Sequence, residues 1–75
     1  MTVNGSRRFR GNDKKRYFVQ DAYKADRHKG KYNLYLMENG MYKLCCDMFY
    51  NVLYFNTIED AQRKVLYGAD FIQTM

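Results

Sequence analysis

Proline and tryptophan are absent from these 75 residues, histidine occurs once, and the two cysteines stand side by side at Cys45 and Cys46. Each scarcity excludes something. A general base needs an oriented partner and a pocket, and His28 lies in a polar stretch with no second histidine near it. The acids Asp13, Asp21, Asp26, Glu38, Asp47, Glu59, Asp60 and Asp70 are scattered. Only Glu59 and Asp60 are neighbours, and helix capping accounts for them. No catalytic residue is assigned, and the chain is read as a non-enzyme.

Zinc sites take separated cysteines, and adjacent side chains on a strand point to opposite faces, so Cys45 and Cys46 do not share one ion. Neither a metal nor a cofactor is expected. The preferred arrangement puts Cys46 in the core and Cys45 on the other face of a sheet. Two adjacent cysteines are not a secreted disulfide framework, which points to reduced thiols. There is no apolar run of the length that spans a bilayer, and "MTVNGSRRFR" lacks the pattern of a leader. A soluble, cytoplasmic protein with no membrane partner is the expectation.

What is present is bulk and positive charge. Hydrophobic residues make up 47% and aromatics 17%, with eight Tyr and five Phe, a globular composition for one domain near the lower size limit. The net charge of +5 is unevenly placed: residues 1–31 carry ten Lys and Arg against three Asp, whereas residues 32–75 carry three against five acids. Six of the thirteen residues in "SRRFRGNDKKRYF" are basic, with Phe9 among them. Such asymmetry points to polyanions or to acidic protein surfaces.

Residues 1–15 show no apolar periodicity and are read as a flexible basic arm, leaving 16–75 as one small domain. From Arg16 to about Ala25, aromatic and β-branched residues predict a first strand with Tyr17, Val19 and Tyr23 on one face, and a bulge or edge near Asp21. The clearest signal is "KYNLYLMENGMYKLCC". Asn39-Gly40 supplies the positive φ of a type I′ turn, which sets Met37 against Tyr42, Tyr35 against Leu44 and Asn33 against Cys46. That face is read as the apolar one. "DMFYNVLYF" is a fourth strand reached by a turn near Tyr50-Asn51, or an extension of the third. Thr57 caps a helix carrying Ile58, Ala61, Val65, Leu66, Ala69 and Ile72 at helical spacing. The fold class is therefore α+β: an antiparallel sheet of three or four strands packed by one C-terminal helix.

Two features bear on function. Arg7, Arg8, Arg10, Lys14, Lys15 and Arg16 can each neutralise a phosphate, and six such contacts give a log–log salt slope of about −5 on duplex DNA. Lys29, Lys31 and Tyr32 are candidates to continue that surface. A solvated tail is the alternative. The Tyr-rich sheet can stack bases, form a dimer interface, anchor a protein partner, or lie under an irregular loop. The RNP signature of RRM proteins is absent.

"YFNTIEDAQRKV" follows a strand hairpin, and the phrase F-[DN]-T-x-E-[ED]-A is matched by Phe55, Asn56, Thr57, Glu59, Asp60 and Ala61. Residues 30–72 thereby resemble the closing half of AP2-type plant DNA-binding domains and the related arm-type domains of phage integrases. The resemblance implies a sheet followed by one helix, with the exposed sheet face reading DNA through arginines and tryptophan. Here the hairpin offers only Lys31 and Lys43, and "CDMFYN" is an insertion. The Tyr/Lys/Asn/Met bias also resembles small phage proteins, many of which inhibit a host enzyme. The expected function is nucleic-acid binding through the basic arm and aromatic sheet. The alternative is a protein-binding modulator of a host nucleic-acid enzyme or defence complex. A homodimer is compatible with either.

Overall fold

A computed structural model describes residues 5–75. Among these residues the chain forms six short strands and one α-helix: β1 (Arg8–Arg10), β2 (Arg16–Asp21), β3 (Tyr32–Glu38), β4 (Met41–Cys46), β5 (Tyr54–Phe55), α1 (Ile58–Gly68) and β6 (Gln73–Thr74). The strands pair antiparallel in the order β1-β2-β3-β4-β6, with β5 joined to β3. The class is α+β as expected, but the sheet holds more strands than the three or four foreseen.

The hairpin β3–β4 forms in the expected register, Tyr35 opposite Leu44 and Met37 opposite Tyr42. Asn39 and Gly40 take φ of 53° and 76°, the left-handed values that a two-residue loop of this hand requires. Asn33 does not reach Cys46; it pairs with Tyr54 on β5. The core lies on the opposite face from the one expected. Leu34, Leu36 and Cys45 are buried there with Tyr17 and Val19 of β2, beneath Ala61 and Val65 of α1. Alternation dictates the consequence: Tyr35, Met37 and Tyr42 fall on the face away from the helix. The positions of the cysteines are likewise exchanged, with Cys45 in the core cluster and Cys46 buried on the other side.

Part of the segment expected to be a flexible basic arm is a paired strand. Residues 1–4 lie outside the described residues, but Arg8–Arg10 is a strand that pairs with β2, Arg8 opposite Phe18, Phe9 opposite Tyr17 and Arg10 opposite Arg16. Phe9 stacks on Tyr17 with centroids 5.7 Å apart and an interplanar angle of 17°, and it packs against the core rather than reaching outward. Gln62 of α1, fully buried, donates from Nε2 to the Ser6 carbonyl at 2.7 Å, tying the segment to the helix. The turn between β1 and β2 is held by Asp13, which accepts from the Lys15 backbone N–H at 3.1 Å and from the Tyr17 hydroxyl at 2.6 Å. Gly11 is buried there, and a Cβ on it would meet Val65 Cγ1 at 2.7 Å, so the turn needs glycine for close approach to the helix.

β2 is shorter than expected and ends at Asp21; a single 3-10 turn at Lys24–Asp26 follows, and Tyr23 is exposed. After β4 the chain turns through residues 47–51, makes one bridge from Val52 to Cys46, and returns to pair with β3. Thr57 caps α1 as read, its Oγ1 accepting the Asp60 N–H at 3.0 Å. The helix closes at Gly68, so Ile72 reaches the core from an extended segment, not from the helix.

Candidate nucleic-acid interface

The face of the sheet opposite α1 is built by alternation on four strands. β2 contributes Arg16 and Phe18, β1 contributes Arg8 and Arg10 beside them, β3 adds Tyr35 and Met37, and β4 adds Tyr42. Phe18 and Tyr42 meet across the intervening strand, with centroids 5.5 Å apart and planes tilted by 46°. Arg8 lays its guanidinium over the Phe18 ring at 5.5 Å, within the range of a cation–π contact. Burial pushes the Tyr35 phenol upward, and Tyr23 and Tyr54 add to the effect. Tyr54 carries Lys29 Nζ 5.7 Å from its centroid.

The three arginines on this face stand without acids. Arg8, Arg10 and Arg16 make no ion pair among the described residues, whereas Arg7 pairs with Asp21 at 3.2 Å, Lys43 with Glu38 at 2.9 Å and Arg63 with Asp60 at 3.6 Å. Arg10 and Arg16 are direct cross-strand partners. Like charges facing each other in an antiparallel pair oppose sheet formation. Charged residues on an edge strand commonly serve to block edge-to-edge pairing, and that accounts for Arg8 and Arg10. It does not account for Arg16, which lies on an interior strand. A pocket of about 260 Å³ at the β1–β2 edge is lined by Arg8, Arg10, Arg16, Phe18 and Met37 together with Phe9 and Tyr17 of the helix side. A second pocket of about 320 Å³, beside the end of α1, has Asp13 and Asp70 in its lining and no Lys or Arg.

The nine residues singled out from the sequence are thus divided. Arg8, Arg10 and Arg16 come together. Exposed Lys14 and Lys15 occupy the β1–β2 turn, at the same end of the sheet as the Asn39-Gly40 turn. Arg7 is drawn elsewhere: it donates to the Val19 carbonyl at 3.3 Å and lies over Tyr32, 5.5 Å from its centroid. Tyr32 itself packs against the core. Lys29 pairs with Asp26 at 3.9 Å, and Lys31 is exposed with its backbone bonded to Phe55. Lys43, the other hairpin cation, shares the helix-side face with Leu36 and Cys45.

Phe18, Tyr35, Met37 and Tyr42, which the structure sets beside the arginines, are not among the nine. The alternation in "RYFVQD", with Tyr17 and Val19 on one side and Arg16, Phe18 and Gln20 on the other, is the signal that marks Phe18. No such signal marks the β3–β4 residues, because both faces of that hairpin are apolar enough to be core.

At its far end the same face is closed. Asn33 donates to the Leu53 carbonyl at 2.9 Å, and Cys46 is fully buried beside Val52. Burial pushes the Cys45 thiol up to about 12 and the Cys46 thiol upward as well, so neither is a ready nucleophile. His28 is exposed, with Nδ1 3.1 Å from the Ala25 carbonyl. Among the described residues no three His, Cys, Asp or Glu side chains gather in a way that would hold a metal, and no helix is long and apolar enough to cross a membrane.

Comparison with known proteins adds no relative: no family model, curated protein or solved structure matches this chain. The sheet-to-helix phrase that resembles AP2-type domains does make a capped helix start here. The arginines, however, come from β1 and β2, outside the segment that carries the resemblance.

Proposed function

We propose that this chain is a small, non-enzymatic nucleic-acid-binding protein, and that it binds through the uncovered face of the sheet. The observation that carries the proposal is the set Arg8, Arg10 and Arg16, gathered without acidic partners beside Phe18, Tyr35 and Tyr42. Phosphate oxygens relieve the repulsion between Arg10 and Arg16, and guanidinium groups suit phosphate geometry. The rings beside them offer planar surface to bases. Lys14 and Lys15, at the adjacent turn, extend the positive field. Two buried, free thiols fit a reducing, cytoplasmic compartment.

The test is fluorescence anisotropy of labelled oligonucleotides across a salt series, with the wild-type chain and the triple variant Arg8→Ala, Arg10→Ala, Arg16→Ala. Wild type binds with a steep slope. The variant loses most of its affinity, and the slope falls by about 2 on an unpaired strand, from three phosphates at about 0.7 each. Unchanged affinity in the variant overturns the proposal.

A second reading, a modulator that docks on a host protein, is favoured by one loop. Met48, Phe49 and Tyr50 are exposed, Phe49 by 84%. Asp47 holds them in place by accepting from the N–H groups of Phe49 and Asn51 at 2.8 and 2.9 Å. A preset aromatic projection is the form that protein-binding anchors take. Under this reading the arginine variant keeps its activity and Phe49→Ala loses it.

A further inference from the structure

We infer that the nucleic acid taken by this face is an unpaired strand, whose phosphates lie along Arg8, Arg10 and Arg16 and whose bases lie on Phe18, Tyr35 and Tyr42. This rests on the nucleic-acid reading above and narrows it. Three features of the face select the strand.

The cations sit to one side of the rings. Arg8 and Arg10 stand on the outermost strand, Arg16 and Phe18 on the next, and Tyr35 and Tyr42 on the two beyond. Along β1 the arginine side chains repeat about every 7 Å, two residues of an extended strand, a spacing that an extended sugar-phosphate chain can follow. Across the sheet, neighbouring strands are about 4.8 Å apart, so the rings begin within a side chain's length of the arginines. A nucleotide has the same plan, a charged backbone on one side and a flat base on the other.

The rings are also available. Tyr42 is 47% exposed and Phe18, Tyr35 and Met37 are half-buried, so they are seated on the sheet while still presenting surface. Phe18 and Tyr42 stand with centroids 5.5 Å apart and planes tilted by 46°. Arg8 lies over Phe18 and gives a base a guanidinium plane to stack on before it reaches the ring.

A duplex does not match this arrangement. Its bases are stacked on one another, and only their edges show in the grooves, so the rings would face phosphates and sugars. The aromatic residues of this face lie on the central strands β2, β3 and β4. Among the described residues the one α-helix, α1, lies on the other side of the sheet and is not placed to enter a groove from this face. Base–aromatic stacking is sequence-tolerant, since every base has a π-face. The chain is therefore expected to bind unpaired DNA or RNA with little dependence on sequence.

The experiment compares oligothymidylate, oligouridylate and a duplex of equal length, each with wild type, Tyr42→Ala and Tyr42→Phe. Tyr42 is at the surface, so both variants fold. At least one single strand is expected to bind about tenfold tighter than the duplex. Tyr42→Ala weakens that binding by about tenfold with an unchanged salt slope, and Tyr42→Phe restores it. The relative affinities of the two homopolymers tell ribose from deoxyribose preference. Equal or tighter duplex binding that still depends on the arginines overturns the inference and leaves the nucleic-acid reading standing. Tyr42→Ala without effect on single strands also overturns it. Binding of none of the three probes removes both, and an acidic protein surface becomes the ligand for the same arginines.

Discussion

Two aspartates organise the loops at opposite ends of the sheet. Asp13 accepts from Lys15 and Tyr17 at the β1–β2 turn, and Asp47 from Phe49 and Asn51 after β4. The phenol of Tyr17 is held in its protonated form, first by burial and then by its bond to Asp13. At Asp47, the backbone bond from Asn51 is the largest influence, and the carboxyl titrates below the ordinary range of an aspartic acid. A lowered folded value means that the carboxylate stabilises the loop at any pH above the unfolded value of about 4. That contribution fades as the pH falls below about 4 and through the folded value. The amides of Phe49 and Asn51 should therefore keep their exchange protection from neutral pH down to about 4 and lose it at more acid pH. Asp47→Ala should lose it at every pH. Hydrogen exchange followed by NMR reads both effects; protection that is indifferent to pH between about 2 and 6 would contradict this account.

At the scale of elements, α1 is a short helix that the sheet holds in place. Its sheet-facing residues are the small Ala61 and Val65, which allow close approach, and fully burying each large partner below them, such as Leu34, contributes roughly 1.5–3 kcal/mol. Its start depends on Thr57. Thr57→Ala should cost about 1 kcal/mol and lower the melting temperature by about 4–8 °C for a domain of this size. Oligonucleotide binding should be unchanged, because the cap lies on the helix side. Urea titration and anisotropy on the same variant would show a stability loss without an affinity loss. A parallel loss of affinity would tie the helix start to the interface and contradict the placement of the site.

For the molecule as a whole, the consequential element is β1. Phe9 covers the edge of the core, Ser6 is bonded to Gln62, and Arg8 and Arg10 complete the cationic row. The segment that covers the edge of the core is therefore also the one that supplies two of the three arginines of the proposed binding face. Phe9→Ala should destabilise the chain by about 2 kcal/mol, less than the roughly 3–5 kcal/mol of a fully buried Phe because Phe9 is half-buried. A domain this small is expected to have only about 3–5 kcal/mol to lose. Deleting residues 1–10 should then abolish the cooperative unfolding transition seen by circular dichroism. A truncated chain that still melts cooperatively would restore the picture of a dispensable arm. For the same reason, point substitutions of the arginines, and not truncation, separate binding from folding.

Local chemistry made much of this molecule legible. Asn39-Gly40 imposed the hairpin and its register because few residues accept two successive positive φ values, and Thr57 with Glu59 and Asp60 marked the helix start because the hydroxyl satisfies a free N–H. Charge asymmetry pointed to the basic end for the same kind of reason, being a count of side chains. Three things depended on partners distant in the chain. Leu34 and Leu36 outcompeted Tyr35 and Met37 for the helix side, a choice between two apolar faces that alternation leaves open. Phe9 turned a charged tail into an edge strand because Tyr17 was there to stack on it; a single apolar residue among arginines has no periodicity of its own. Arg16 met Arg10 only once β1 had paired with β2. The make-up of the uncovered face depends on these nonlocal pairings, since they decide which side chains the sheet leaves exposed.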